Sequence, residues 1–419
     1  MSKRSIDPLL VGGFRLPRTF AALRYPNYRL WFFGQTVSLI GTWMQSIAQG
    51  WLVYQLTGSD LALGTISFIG TIPTLFLMLP AGAITDRVNK RTLLLATQTV
   101  MMLLAFIMTA LSATGMLQVW HIALLAAALG VAQSFDAPAR QALAVAMVDD
   151  RADLMNAIAL NSAIFNLARV IGPAIGGIVL ATLGATWCFG LNGLSFLAVI
   201  AGLWLMKLPA NQDPVPQRSL VQQTLEGLRY IRTNAPIRNM IAIMGVSGIF
   251  GMSYAVLLPA FAADVLRVGE TGLGALNTAV GLGALAGALA VASLSRYRRK
   301  GMLATLGSTL FPAMLIVFAL SRNMPLALVC LAISGWAIVV QNSTINTLIQ
   351  GIVPDQLRGR VMAVFSLMIF GTTPFGSLQA GAIAQVLGPP AGVAVGALIT
   401  LVFAASMALL QPSLRRMEG

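Results

Sequence analysis

Long apolar runs, each about the length of a bilayer crossing and separated by short polar breaks, dominate the chain. They fall near residues 30–56, 61–84, 92–114, 118–139, 155–181, 187–207, 239–264, 272–294, 302–320, 325–350, 361–386 and 391–410. A helix needs about 20 apolar residues to cross a membrane, so each run predicts one spanning helix. The runs are continuous and do not alternate with period two, which excludes a membrane β-barrel. The longest polar break, 209–238, contains Pro209, Pro214 and Pro216 and then a basic amphipathic stretch from Leu220 to Arg232. It predicts a linker with a short interfacial helix, Leu225, Leu228 and Ile231 on one face and Arg229 and Arg232 on another. The pattern thus divides into a six-helix bundle over 1–208, a linker over 209–238 and a second six-helix bundle over 239–419.

Composition agrees. The 419 residues are 57% hydrophobic and 10% charged, against roughly 25% charged in soluble domains. Charge also orients the chain. Of the 27 Lys and Arg residues, 24 lie on the N-terminus, the C-terminus and alternate loops, only Arg267 and Arg322 lie on the opposite side, and Arg169 lies inside a span. The positive-inside rule then places both termini and the linker in the cytoplasm of a cell, across its inner membrane. An odd number of spans would scramble the alternation. The net charge of +14 reads as membrane anchoring and not as a nucleic-acid surface. Cys188 and Cys330 lie within apolar runs, as expected of buried reduced thiols. No signal peptide is evident, so the first span is expected to act as its own insertion signal.

The two halves carry a weak repeat. Gly172, Gly177 and Gly184 match Gly376, Gly381 and Gly388 at an offset of 204, and the basic loop Arg87–Arg91 has a counterpart in Arg296–Lys300. Such a repeat predicts pseudo-symmetric halves with a substrate site between them near the midplane.

The stretch Gly82-Ala83-Ile84-Thr85-Asp86-Arg87-Val88-Asn89-Lys90-Arg91 resembles the major facilitator signature Gly-x-x-x-Asp-Arg-x-Gly-Arg-Lys, with Asn89 where the family has Gly. Asn tolerates a left-handed turn, Gly82 permits close helix approach, and Arg87 and Arg91 hold the loop in the cytoplasm. The resemblance implies a latch involving Asp86 that stabilises an outward-open state. Gly172-Pro173-Ala174-Ile175-Gly176-Gly177 in the fifth span resembles the antiporter signature of major facilitator exporters. A proline there frees a backbone carbonyl and kinks the helix. The stretches Leu23–Trp31, Gly41–Gln45, Ala48–Ser59 and Phe135–Gln141 are similar to the exporter branch that includes enterobactin and macrolide efflux proteins. The resemblance implies export of a small, partly hydrophobic, siderophore- or drug-like molecule by alternating access, coupled to protons. Import of a vitamin, siderophore or other metabolite by the same fold, or lipid flipping, is the alternative.

Polar side chains supply the candidate cavity. Gln45 and Gln49 are one turn apart in the first span, with Gln35 and Thr42 nearby, and Gln341 and Asn342 lie in the tenth span. A charge at mid-membrane costs at least about 2.5–3.5 kcal/mol, and Arg169 lies roughly 22 Å into its helix by rise per residue. Its expected role is to face the cavity and attract an anionic substrate group. Asp136 and Arg140, one turn apart, pair at the end of the fourth span or join a gate network with Asp86, Arg87 and Arg91. The proton-coupling candidates are Asp136, Asp86 and Asp264. The single His121 and the two isolated cysteines cannot assemble a hydrolytic or metal centre, and no phosphate-binding loop is present. The expectations are therefore no enzyme activity, no cofactor or metal, a monomer in lipid, and a small-molecule substrate.

Overall fold

The computed structural model describes residues 10–11, 14–15, 18–148, 150–206, 220–294, 297, 299–411, 415 and 417. A two-residue ribbon (β1, Leu10–Val11; β2, Phe14–Arg15) precedes an otherwise helical chain. The first half comprises α1 (Pro26–Thr57), α2 (Asp60–Arg87), α3 (Lys90–Ala113), α4 (Val119–Ala146), α5 (Arg151–Leu183) and α6 (Ala185–Leu205). A short α7 (Leu220–Thr233) follows. The second half comprises α8 (Ala235–Val265), α9 (Gly269–Ser293), α10 (Lys300–Leu320), α11 (Met324–Ile352), α12 (Asp355–Leu387) and α13 (Pro389–Leu410). Eleven of these are long and apolar enough to cross a membrane. The twelfth spanning helix, α1, is long enough at 32 residues and less apolar because it carries Arg29 and glutamines at 35, 45, 49 and 55.

Local chemistry sets the ends. Gly58, left-handed at φ 57°, stops α1, and the Ser59 hydroxyl accepts from the Ala62 amide to start α2. Asn89, Asn234 and Asn323 cap α3, α8 and α11 in the same way, using the side-chain oxygen for an orphan amide. Asn89 therefore has φ −63° and not the left-handed turn expected for it, since capping needs extended backbone. α8 is irregular: π-helical turns at Ser247–Gly251 and Phe261–Val265 flank a tighter 3-10 segment at Met252–Leu257. α12 is interrupted at Gly371 and Thr372, ahead of Pro374.

The repeat is visible in the backbone. Gly184 and Gly388 each have φ 85° and each open a helix after a tight link. That conformation, with ψ near 160–172°, is essentially reserved for glycine. A Cβ on Gly388 would meet only Pro390, at 3.8 Å, so the cost of a side chain there is purely backbone strain. Gly388→Ala is expected to lower stability by about 1–3 kcal/mol. Gly359→Ala, on α12 with open space around it, should be neutral or slightly stabilising, as helix propensity predicts. Thermal unfolding in detergent, with both variants side by side, checks this; equal melting temperatures would remove the strain argument.

Within the first half, α1 packs on α5 and α6, α2 on α4, and α3 on α4 and α6; within the second, α9 and α10 pack on α11, and α10 and α12 on α13. The halves meet along α5 with α9 and along α2 with α12. The side chains of Phe76, Trp204, Leu398 and Leu409 project outward, as expected of surfaces that face lipid. α7 lies across the start of α12: Glu226 pairs with Arg360, a Cβ on Gly227 would stand 2.8 Å from the Arg360 carbonyl oxygen, and Ile231 is buried while Leu225 and Leu228 are exposed. The first part of the linker, 209–219, lies outside the described residues, as do residues 207 and 208.

Candidate functional site

The helix ends sort by charge into a basic end (Arg87, Lys90, Arg140, Arg238, Lys300, Arg358) and an opposite end bearing Asp60, Asp264 and Glu270. The halves are sealed toward the opposite end. On one side, a Cβ on Gly177 of α5 would stand 2.8 Å from the Gly274 α-carbon and 3.0 Å from the Glu270 carbonyl oxygen of α9. On the other, a Cβ on Gly381 of α12 would stand 3.0 Å from the Gly64 α-carbon and 2.6 Å from the Asp60 carbonyl oxygen of α2. The two seams are pseudo-symmetric copies: Gly177 and Gly381 are repeat partners, and Gly274 and Gly64 each follow a first-turn acid by four residues. Polar contacts reinforce them. The Tyr54 hydroxyl donates to Asp264, Ser59 hydrogen-bonds Gln385, the Ser67 hydroxyl donates to Ser377 at 3.0 Å, and Thr278 donates to the Val170 carbonyl at 3.3 Å.

Toward the basic end the halves part. The α5 face that packs on α9 at Gly177, Pro173 and Val170 continues as Ala163, Ser162, Ala159 and Met155, all exposed. Among the described residues, no inter-half hydrogen bond or ion pair is made near Arg87, Lys90, Arg140 or Arg358. The product is a cleft between two bundles, shut at one end and open at the other.

Arg169 lies at the closed end of this cleft. Its carbonyl stands 2.7 Å from where a Cβ on Gly281 of α9 would be. Its guanidinium lies 5.9 Å from the Trp43 ring centroid, and Trp43 in turn meets Phe165 edge-on at 6.0 Å. Phe165 is one turn from Arg169 on α5. Among the described residues Arg169 makes no ion pair.

Asp136 is 1% exposed and wholly engaged within the first half: its carboxylate accepts from Thr97 at 3.1 Å and Gln98 at 2.8 Å and pairs with Arg140 at 3.0 Å. Arg91 reaches the Trp204 carbonyl at 2.9 Å, tying α3 to α6, and Arg87 is exposed. The Asp86 side chain lies outside the described residues, as do Ser295, Arg296 and Arg298 of the counterpart loop. Gly82 has nothing within 4 Å of a built Cβ, so no helix approaches it here, because the halves diverge at that end. Gly172 and Gly176 seat α1: their Cβ positions fall 2.5 Å from the Trp43 Cβ and 3.1 Å from the Met44 α-carbon.

Three of the glutamines expected to line a cavity pack within their own halves. Gln45 accepts from Asn192 of α6 at 2.7 Å, Gln35 lies near Arg140 at 3.4 Å, and Gln341 donates to Ser247 of α8 at 3.0 Å; all are buried inside their own halves. An amide in an apolar bundle is stabilised by an interhelical partner, and helical spacing alone does not say whether that partner is a protein group or a cavity. Thr42 bonds back to the Ser38 carbonyl at 2.9 Å. Gln49 and Asn342 remain half-buried, Asn342 with an unpartnered side-chain oxygen. Sequence reasoning missed Gly64 and Gly274, although the matched spacing from Asp60 and Glu270 was a usable signal.

A twelve-helix, two-half membrane bundle with a one-sided cleft defines a transporter of the major facilitator type, and not an enzyme. The chain belongs to the transmembrane secretion effector family, which it matches over residues 17–419. It is 30% identical to the multidrug efflux pump Tap of Mycolicibacterium fortuitum over 83% of this chain and 87% of that one. It is 29% identical to the enterobactin exporter EntS of Escherichia coli over 94% and 93% of the two chains. Among solved structures, the nucleoside transporter NupG superposes with a TM-score of 0.68 at 14% identity, covering 94% of this chain and 98% of that one. A bacterial homolog of the human lysosomal transporter Spinster, in an inward-facing and unoccupied conformation, superposes with a TM-score of 0.67 at 14% identity, over 95% and 98% of the chains. These two show the shared fold.

Proposed function

We propose that this protein exports a small, partly hydrophobic organic molecule from the cytoplasm by alternating access, driven by proton antiport. The observation that carries the reading is the one-sided cleft, closed by two glycine seams and open among the basic helix ends. With the basic end in the cytoplasm, as the distribution of Lys and Arg indicates, this conformation is open to the inside and ready to load. The efflux-pump and enterobactin-exporter relatives support the outward direction. The bundles 1–208 and 239–419 move as bodies about the cleft, joined by the 209–238 linker, in a monomer embedded in the inner membrane with both termini inside.

Among the candidate acids, Asp264 is the one we assign to coupling. Asp136 is shut inside its bundle, whereas Asp264 is bonded across the two halves and changes partners whenever the outer end opens. Gly177, the last residue of the antiporter-like signature, supplies the seam for that opening, which is how the signature enters the mechanism.

The test is flux in reconstituted vesicles under an imposed pH gradient, with a panel of siderophores and drugs. Saturable uphill movement, lost when a protonophore collapses the gradient, is expected. Asp264→Asn should lose the uphill component while keeping downhill exchange. Uphill flux that survives gradient collapse would overturn proton coupling, and headgroup flipping without solute flux would overturn export itself.

A further inference from the structure

A mid-span arginine is costly, and its partners show what it is kept for. Arg169 stands at the closed end of the cleft, beside the inter-half seam, with no acid paired to it among the described residues. Asp136, the most deeply buried acid among the described residues of the first half, is neutralised by Arg140 inside the bundle. The Arg169 guanidinium instead lies by an indole: Trp43 from α1 presents its ring at 5.9 Å, braced edge-on by Phe165. A cation beside an aromatic ring keeps its hydrogen-bonding fork free, because the ring quadrupole engages the charge without using N–H donors. Half-buried Asn342 and Gln379 carry side-chain oxygens without partners, but neither adds a negative charge.

We propose that Arg169, Trp43 and Phe165 form a subsite for an anionic group carried on an aromatic ring, so that the exported molecule is an aryl anion and cations are disfavoured. This rests on the export reading for its biological direction, though the binding chemistry is independent of it. A carboxylate or comparable oxyanion accepts from the free guanidinium fork, and its ring lies along Trp43 and the exposed face of Phe165. The anion also removes the cost of an unpaired charge at the neck of the cleft. Occupancy therefore favours the state in which the halves close around it, which links loading to the conformational change.

The probes are three matched molecules: 1-naphthoate, its neutral amide 1-naphthamide and the cation 1-naphthylmethylammonium. Binding to the purified full-length protein is followed by calorimetry and tryptophan quenching, and the same compounds are offered to reconstituted vesicles. Naphthoate is expected to bind at least about tenfold tighter than the amide, in line with a charge-assisted hydrogen bond, and the ammonium not measurably. Arg169→Gln should bring acid and amide to the same affinity, Arg169→Lys should keep a reduced preference for the acid, and Trp43→Leu should weaken both acid and amide. If Arg169→Gln does not fold, the wild-type comparison and Arg169→Lys decide. Equal affinity for acid and amide, a preference untouched by Arg169→Gln, or no binding of any probe to folded protein would overturn the subsite. Gradient-driven flux of other compounds without charge preference would leave export standing and remove only this proposal. Charge-selective binding with no flux of any compound would keep the subsite and remove export.

Discussion

Gly177→Val is expected to abolish transport in a protein that still inserts and folds. The new side chain would meet the Gly274 α-carbon at 2.8 Å, the Glu270 carbonyl oxygen at 3.0 Å and the Gly274 amide nitrogen at 3.2 Å. These are backbone atoms of a long helix and cannot swing aside as a rotamer would. The clash exists only while the halves are shut at this end; in the opposite state the valine faces an open cleft. Overpacking of this kind costs about 1–3 kcal/mol, which displaces a two-state equilibrium by roughly 5- to 150-fold. The variant should sit outward-open, and a cysteine placed at Asn277 should then react with a membrane-impermeant maleimide from outside; Cys188 and Cys330 are buried. Normal flux together with unchanged labelling would refute the seam. Gly172→Val is the instructive contrast. Its contacts, Trp43 and the Ile40 carbonyl, belong to the same half, so the damage falls on both states alike and should appear as lost folding yield.

Asp136→Ala is expected to destabilise the first half by about 2–3 kcal/mol. Breaking a fully buried ion pair costs about 3–5 kcal/mol, and the figure is lowered here because Arg140 is 31% exposed and water can partly solvate the abandoned charge. The substitution also strands the Gln98 amide, which points at the lost carboxylate, while the Thr97 hydroxyl keeps the Leu94 carbonyl as an acceptor. Asp136→Asn, which keeps the shape and one acceptor oxygen, should cost less. Thermal unfolding of the three proteins in one detergent measures the series; an Ala variant that melts with the wild type would mean the network contributes nothing.

Most of the architecture was legible in the sequence, because a bilayer makes strong demands. Each spanning helix must satisfy its own backbone, so apolar length located the helices, α1 being the least apolar of the twelve, and loop charge gave their alternation. The ends were less legible: α1 begins at Pro26 and α5 at Arg151, each several residues before its apolar run, because amphipathic turns extend the helices beyond the hydrocarbon. The glycine repeat proved to be a contact map. Gly172 and Gly376 face the first helix of their own halves, while Gly177 and Gly381 face the other half. The candidate site was read less well. Gln45 and Gln49 share a helical face by spacing, yet Gln45 turns to Asn192 and Gln49 does not, since neighbouring helices about 10 Å apart cut one polar stripe into separate environments. Arg169 was conspicuous as an isolated charge, but its company of Trp43 and Phe165 depends on how α1 packs on α5, which no periodicity announces.

The twin seams have a consequence for the surroundings in which such a door can operate. Where α5 meets α9 and α2 meets α12, the touching surfaces are α-carbons and carbonyl oxygens, bound by weak Cα–H···O contacts and dispersion. At the glycine contacts themselves no side chain has to find its rotamer as the seam forms or parts, and among the described residues no ion pair there is weakened by dissolved salt. The end that bears Asp60, Asp264 and Glu270 is thus closed by a joint whose core is indifferent to ionic strength, leaving Tyr54 and Asp264 at its rim as the part that senses the medium.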